Sequence, residues 1–282
     1  MPKLLLYTFI LFLIMGKMSA QSTVANSYDK LIFDSYQKDQ KIRMELDSLL
    51  ENKNRSNEEL VSLLSRIEKI DFDNQCVILP ILDQYLEQKI ELTDMSLSHV
   101  YYIIQHADGD IQSKYAVFVS ELFDKGLVDN QEFAWFIDRL NVRKNKAQSY
   151  GFQVKSWADT KERFPYPISS SSEENCQQIN LTSSKEYLEE NFIGVYLPQY
   201  LTKDEFVVFG HVRGITQNLK IVIDEDFETK VNDKGFYVIK LKKNERNSFH
   251  LCLKKNDIKF DCKTITIDGK DWEEIDFFSQ SN

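Results

Sequence analysis

Ile103-Ile104-Gln105-His106-Ala107-Asp108-Gly109-Asp110 is the stretch on which the reading of the fold turns. Before it, Leu97, Val100, Ile103 and Ile104 recur at helical spacing, and after it Ile111, Tyr115, Phe118, Val119, Leu122 and Phe123 do the same. Gly109 is expected to end the first helix and Asp110 to cap the second. Gln105, His106 and Asp108 then fall at a junction between packed helices.

Working outward, the pattern repeats. Leu31, Ile32, Ile42, Leu46, Leu49 and Leu50 predict a long amphipathic helix over 28–52, with Asp39, Arg43 and Asp47 one turn apart on a shared face. Ser56 and Glu59 have capping-box spacing ahead of a helix over 56–70, and a further helix is expected over 74–88, with Pro80 in its first turns. Beyond Gly126, Asp129 or Asn130 caps a helix carrying Phe133, Phe136, Ile137 and Leu140, with Asp138 and Arg139 in its middle. Helix, short turn and helix in succession predict an all-α helical domain over 21–203. The proline- and serine-rich run within 151–182 reads as an extended segment wrapped over it, and a short helix over 184–191 closes it.

From Glu205 the period changes to two. Phe206–Val212, Leu219–Ile223, Phe236–Leu241, Phe249–Leu253 and Lys259–Ile267 alternate as strands, with Asn232-Asp233-Lys234-Gly235 as a turn. A small all-β sandwich over 204–282 is expected, so the fold class is α+β multidomain. Cys252 and Cys262 flank Lys255-Asn256-Asp257-Ile258. A hairpin centred near Asp257 would set them opposite each other as a disulfide, the alternative being two buried thiols on one sheet face. Cys76 and Cys176 could pair only through tertiary contact.

At the N-terminus, Lys3 precedes an apolar run from Leu4 to Met15 and the short polar stretch to Ala20. This is the pattern of a secretory signal peptide over 1–20, too short for a spanning helix, with an uncleaved anchor as the alternative. The protein is therefore expected to be exported, whether periplasmic, cell-surface or secreted, with no membrane span after cleavage. Cleavage would remove Lys3 and Lys17 and take the net charge from −9 to −11. No basic cluster offers a phosphate footprint, which argues against a nucleic-acid partner. The partner class left is an unknown small molecule or an envelope protein.

The chemistry-bearing residues gather around the opening stretch. An imidazole ordinarily titrates near neutral pH, so His106 suits general acid or base work, with Asp138, Asp108 or Asp39 to orient it. Arg43 and Arg139 could clamp an anion, and Gln105, Asp108, Tyr150 and Gln153 could line a ligand cleft. The plainer alternative is a histidine satisfying the last carbonyls of its helix, with the aspartates as caps. No metal site is expected. His99 and His106 lie about 10.5 Å apart along one helix, and a calcium loop counted from Asp108 would place Val119 where a glutamate is needed. Glycine-rich phosphate loops and a serine-nucleophile elbow are absent from the sequence, so no cofactor is expected.

Asp39-Gln40-Lys41-Ile42-Arg43, Asn74, Ile104-Gln105-His106-Ala107-Asp108, Ala134-Trp135-Phe136-Ile137-Asp138-Arg139, Gln148-Ser149-Tyr150-Gly151-Phe152-Gln153 and Tyr166-Pro167-Ile168 occur in a definite order. Over about residues 28–193 the chain resembles a bacterial family classed only as a domain of unknown function, with Gln-His-Ala-Asp and Tyr-Gly-x-Gln motifs. Phe152 stands where that family usually has threonine. The resemblance implies the all-α fold and a shared cleft around these residues, and implies no reaction. Phe209-Gly210-His211-Val212-Arg213-Gly214 and Asp233-Lys234-Gly235-Phe236-Tyr237 resemble the small Ig-like sandwiches appended to exported proteins of Bacteroidetes type, which implies an accessory or adhesive module. The function expected is binding of a ligand or partner in the cell envelope. A hydrolase using His106 and a structural surface protein are the alternatives.

Overall fold

The computed structural model describes residues 27–52, 54–156, 163–191, 199–214, 218–224, 227–243, 247–256 and 258–279. The signal peptide expected over 1–20 lies outside the described residues. A helical N-terminal region precedes a strand-rich C-terminal one, an α+β arrangement. Among the described residues no helix is long and apolar enough to cross a membrane.

The helical region opens with α1 (Ser27–Glu51), α2 (Asn57–Leu86) and α3 (Asp94–Gln105). It continues with α4 (Gly109–Lys114), α5 (Ala116–Asp124) and α6 (Asn130–Arg143). Ser56 and Glu59 form the expected capping box of α2, and Thr93 and Asp129 cap α3 and α6. Ile32, Ile78, Leu82, Val100, Ile104, Val119, Leu122 and Phe136 meet in the largest core of this region.

Three expectations need correction. The two helices drawn over 56–70 and 74–88 are one, α2, because nothing between Ile70 and Asn74 breaks a helix. Pro80 sits well inside α2 but on its exposed side, where the carbonyl that loses an amide partner can be hydrated. Gly109 starts α4 rather than stopping α3, with Asp108 in the N-cap position, so Asp110 is not the cap. Leu31 and Leu50, assigned to the apolar stripe of the first helix, are exposed. On α1 the buried stripe is instead Ile32, Ser35, Asp39 and Ile42, polar at its centre.

The connecting segment is less extended than its composition suggested. β1 (Val154–Ser156) pairs antiparallel with β2 (Arg163–Pro165), and β3 (Ile168–Ser169) pairs parallel with β4 (Tyr200–Leu201). Between them α7 (Ser172–Gln178) occupies part of the serine run, its Cys176 buried against Ala134, Tyr150 and Phe152. The expected short helix is α8 (Ser184–Asn191).

The C-terminal strands are β5 (Glu205–Arg213), β6 (Leu219–Ile223), β7 (Phe227–Lys230) and β8 (Phe236–Lys242). They are followed by β9 (Ser248–Lys255), β10 (Ile258–Thr266), β11 (Trp272–Glu274) and β12 (Phe277–Phe278). One sheet runs β10-β9-β6-β7; in the other, β5 pairs antiparallel with β8 and parallel with β11 and β12. Both sheets contribute to one core that includes Phe206, Val208, Ile221, Ile239 and Leu251. The close approach of the C-terminal segment to β5 requires Gly210, since a β-carbon there would stand 1.8 Å from the Ile275 carbonyl oxygen.

Alternate residues of β5, Val207 and Phe209, join Phe164, Leu201, Phe236 and Trp272 in a further apolar cluster against Val142 and Ala147 of the helical region. Trp272 Nε1 donates to the Lys146 carbonyl at 3.0 Å, and Asp271 N donates to the Asn145 carbonyl at 2.7 Å. Both sides of β5 are thus buried, and the two regions are bonded through main chain as well as packed.

Cys252 and Cys262 form the expected disulfide, with Cα atoms 4.1 Å apart. The hairpin pairs Lys255 with Ile258 and Leu253 with Phe260, a register that would set Asp261 opposite Cys252. A bulge at Asp261, whose φ is +49°, shifts the count by one and brings Cys262 there instead.

Candidate functional site

The polar centre of α1's buried stripe faces a polar interruption on α2. Drawn as one helix, α2 buries Leu63, Ile67, Asn74, Ile78 and Leu82, and the partly buried Asp71 lies one turn before Asn74 on the same side. Asn74 Nδ2 donates to the Ser35 carbonyl at 3.1 Å and ties the two helices together. The C-terminus of α3 ends against this polar patch, with His106 as its C-cap.

Four side chains meet there. Asp39 is 1 % exposed, and its Oδ1 lies 2.8 Å from His106 Nδ1. A carboxylate can only accept, so Nδ1 carries the ring proton and Nε2 presents its lone pair. Arg43 Nε is 3.2 Å from both ring nitrogens and donates to Nε2, the one left with a lone pair. Arg43 Nη2 reaches Asp71 at 2.7 and 2.9 Å and Asp39 Oδ1 at 3.5 Å. Gln40 Nε2 donates to Asp39 Oδ2 at 2.8 Å. Burial pushes the Asp71 carboxyl up, and the Arg43 guanidinium only partly opposes this.

The carbonyls at the end of α3 are held by two more arginines. Arg139 Nη1 donates to the Gln105 carbonyl at 2.8 Å. Arg143 Nη1 donates to the Ala107 carbonyl and to Gln112 Oε1, both at 2.9 Å. Among the described residues neither arginine has a carboxylate partner. Burial, and then the like charges of Arg143 and Arg43, lower the pKa of Arg139. Gln105 is itself buried, and its main-chain carbonyl is the group its neighbours use.

The remaining sequence-derived candidates go elsewhere. Asp138 is fully buried, and its carboxylate accepts from Tyr150 N at 2.9 Å, Gly151 N at 2.7 Å and Phe152 N at 2.8 Å. Burial pushes this carboxyl up to about 6, against the pull of those amides. Asp138 therefore braces a loop, and the carboxylate that orients His106 is Asp39. Neighbours on a helix point about 100° apart, so Asp138 and Arg139 serve different surroundings. Tyr150 packs in the cluster around Cys176, and Gln153 donates to the Trp135 carbonyl at 3.3 Å. Gly151 has φ +92°, and a β-carbon there would stand 2.8 Å from Ser184 Cβ. Asp108 is exposed and makes no side-chain cap bond. His99 stacks on Tyr36 with ring centroids 4.1 Å apart.

Asp71 was not among the candidates. It lies where the sequence reading placed a gap between two helices; drawing one helix through 57–86 would have put it in line with Asn74 on the packed side. Glu132, near the start of α6, was also missed. Tyr102 Oη donates to its Oε1 at 2.8 Å, and burial pushes the carboxyl up to about 7.

Comparison with known proteins finds no matching family model, curated protein or solved structure.

Proposed function

We propose that this is an exported protein of the cell envelope whose helical region binds a small anionic ligand at the C-terminal end of α3. The strand-rich region serves as an Ig-like accessory module. The observation that carries the reading is Arg139: a guanidinium whose charge burial and two neighbouring arginines disfavour, bonded to a main-chain carbonyl and, among the described residues, to no acid. An anion beside Arg139 and Arg143 would relieve that repulsion through charge-assisted hydrogen bonds. The apolar N-terminal run and the Cys252–Cys262 disulfide support export, since disulfides persist in oxidising compartments.

Native mass spectrometry of the mature protein, followed by calorimetric titration with phosphate and citrate, tests this reading. A co-purifying or titrated anion whose affinity falls at least tenfold in Arg139→Gln supports it. Equal binding by the two proteins, or none by either, defeats it.

A second reading is a hydrolase in which His106 is general acid or base. The bond from His106 Nδ1 to the buried Asp39 favours it, because an oriented tautomer makes Nε2 the working nitrogen once Arg43 Nε moves off it. Ester and phosphoester turnover that disappears in a folded His106→Gln variant would establish this second reading.

A further inference from the structure

We propose that Asp39, Asp71 and His106 form a divalent metal site. The proposal goes beyond the anion reading and does not rest on it. One carboxylate oxygen from each aspartate and one ring nitrogen of His106 lie within 4.8 Å of one another. Ligand atoms on one tetrahedral ion stand about 3.4 Å apart, given metal–ligand bonds of about 2.0 to 2.2 Å, so a single ion can touch all three once the side chains close in on it.

The ligands come from three separately anchored places: α1, α2 and the end of α3. The backbone around each is held without the metal. Asn74 fixes α1 to α2 through the Ser35 carbonyl, and Arg139 and Arg143 fix the end of α3 through the Gln105 and Ala107 carbonyls. Gln40 occupies the far oxygen of Asp39 and leaves Oδ1 turned to the centre. Pre-positioned ligands with hydrogen-bonded backs are what a metal centre needs from its surroundings.

Arg43 already occupies the cation's place. Its Nη2 bonds Asp71 and approaches Asp39, so it neutralises two carboxylates that would otherwise repel. The Arg43 side chain is 22 % exposed and sits on a flexible stem, so it has a solvent-side route out. Two carboxylate oxygens and one imidazole nitrogen suit zinc, manganese or ferrous iron better than calcium, which takes oxygen ligands only. Three protein ligands also leave coordination positions open. The released Arg43 and the open positions would both then be available to a bound anion.

His99 is stacked on Tyr36 and Asp108 is exposed, so neither belongs to this set. A second His/Cys grouping, His250 with Cys252 and Cys262, has its sulfurs joined in the disulfide.

The test is titration of chelator-treated, full mature protein with Zn²⁺ and with Mn²⁺ by calorimetry, with the melting temperature followed in parallel. Asp39 is deeply buried and its loss endangers folding, so the partly exposed Asp71 and His106 carry the mutations. One saturable equivalent is expected in the wild type, weakened at least tenfold in Asp71→Asn and in His106→Gln and unchanged in His250→Gln. Arg43→Met separates a metal site from a salt-bridge network: removal of a competing cation should tighten metal binding. No saturable equivalent in the wild type and in Arg43→Met, or equal affinity in Asp71→Asn and the wild type, overturns the proposal. The anion titration of Arg139→Gln is read separately, so either reading can fail alone.

Discussion

His106 Nδ1 is 2.8 Å from Asp39 Oδ1 although 67 residues separate them, and the carboxylate is buried in the stripe that α1 turns to the core. Truncating one member of such a buried pair leaves the other without its partner. Asp39→Asn should cost about 2 to 4 kcal/mol, because Arg43 and the His106 N–H lose their buried acceptor. Arg43→Met should cost about 3 kcal/mol by leaving two carboxylates facing each other. Urea denaturation followed by circular dichroism measures both; a loss below about 0.5 kcal/mol in either would place the pair with ordinary surface charges.

Asp138 predicts a local effect rather than a chemical one. With three main-chain amides converging on its oxygens, Asp138→Asn turns an amide donor toward other donors and should cost about 3 kcal/mol. Hydrogen exchange should speed up first at Tyr150, Gly151 and Phe152, while the His106 surroundings keep their protection. Uniform loss of protection across both places would contradict the separation of the two clusters.

Glu132 predicts a pH dependence. Its carboxyl is pushed up to about 7, chiefly by burial, so between about 4.5 and 7 the folded state holds a proton that the unfolded chain has lost. The stabilisation from Glu132 is therefore complete below pH 4.5 and fades as the pH rises through 7. Glu132→Gln should remove that slope and stabilise the protein at pH 8 by about 1 to 2 kcal/mol, after allowance for solvent screening. The difference in unfolding free energy between the two proteins, taken from pH 4 to pH 8, provides the measurement. A difference that does not change with pH would refute the assignment.

Trp272 predicts how the two regions melt. It packs against Phe209 and Tyr166 with centroids 5.5 and 5.2 Å away, and its indole bonds the Lys146 carbonyl. Trp272→Ala should cost about 3 to 5 kcal/mol and should split one calorimetric transition into two, since the apolar contact and the hydrogen bond disappear together. A single transition shifted by less than 2 °C would mean that the regions are held by the main-chain bonds alone.

Much of the architecture was legible in local pattern. Periodicity located α1, α3 and α6 and the longer strands, and the capping box at Ser56 and Glu59 marked the start of α2. Two cysteines around a short turn pointed to their disulfide, although the bulge at Asp261 that aligns them had no mark in the sequence. Less was legible where one local rule competed with another. Two helices were expected, over 56–70 and 74–88, but continuous packing of Leu63, Ile67, Ile78 and Leu82 sustains one. The short strands β11 and β12 have too few residues to show a period and are defined by pairing with β5.

By itself the sequence determined which residues could form helices and strands, that helices come first and strands last, and that His106 stands at a helix end, because these depend on neighbours within a turn or a hairpin. Tertiary structure alone decided which carboxylate serves His106. Asp39, Asp108 and Asp138 were equivalent as strings, and Asp71 was not in view. Which way a residue on one helix points relative to the axes of two others is set by packing, and packing put Asp39 and Asp71 beside the imidazole while turning Asp138 to the loop at Tyr150.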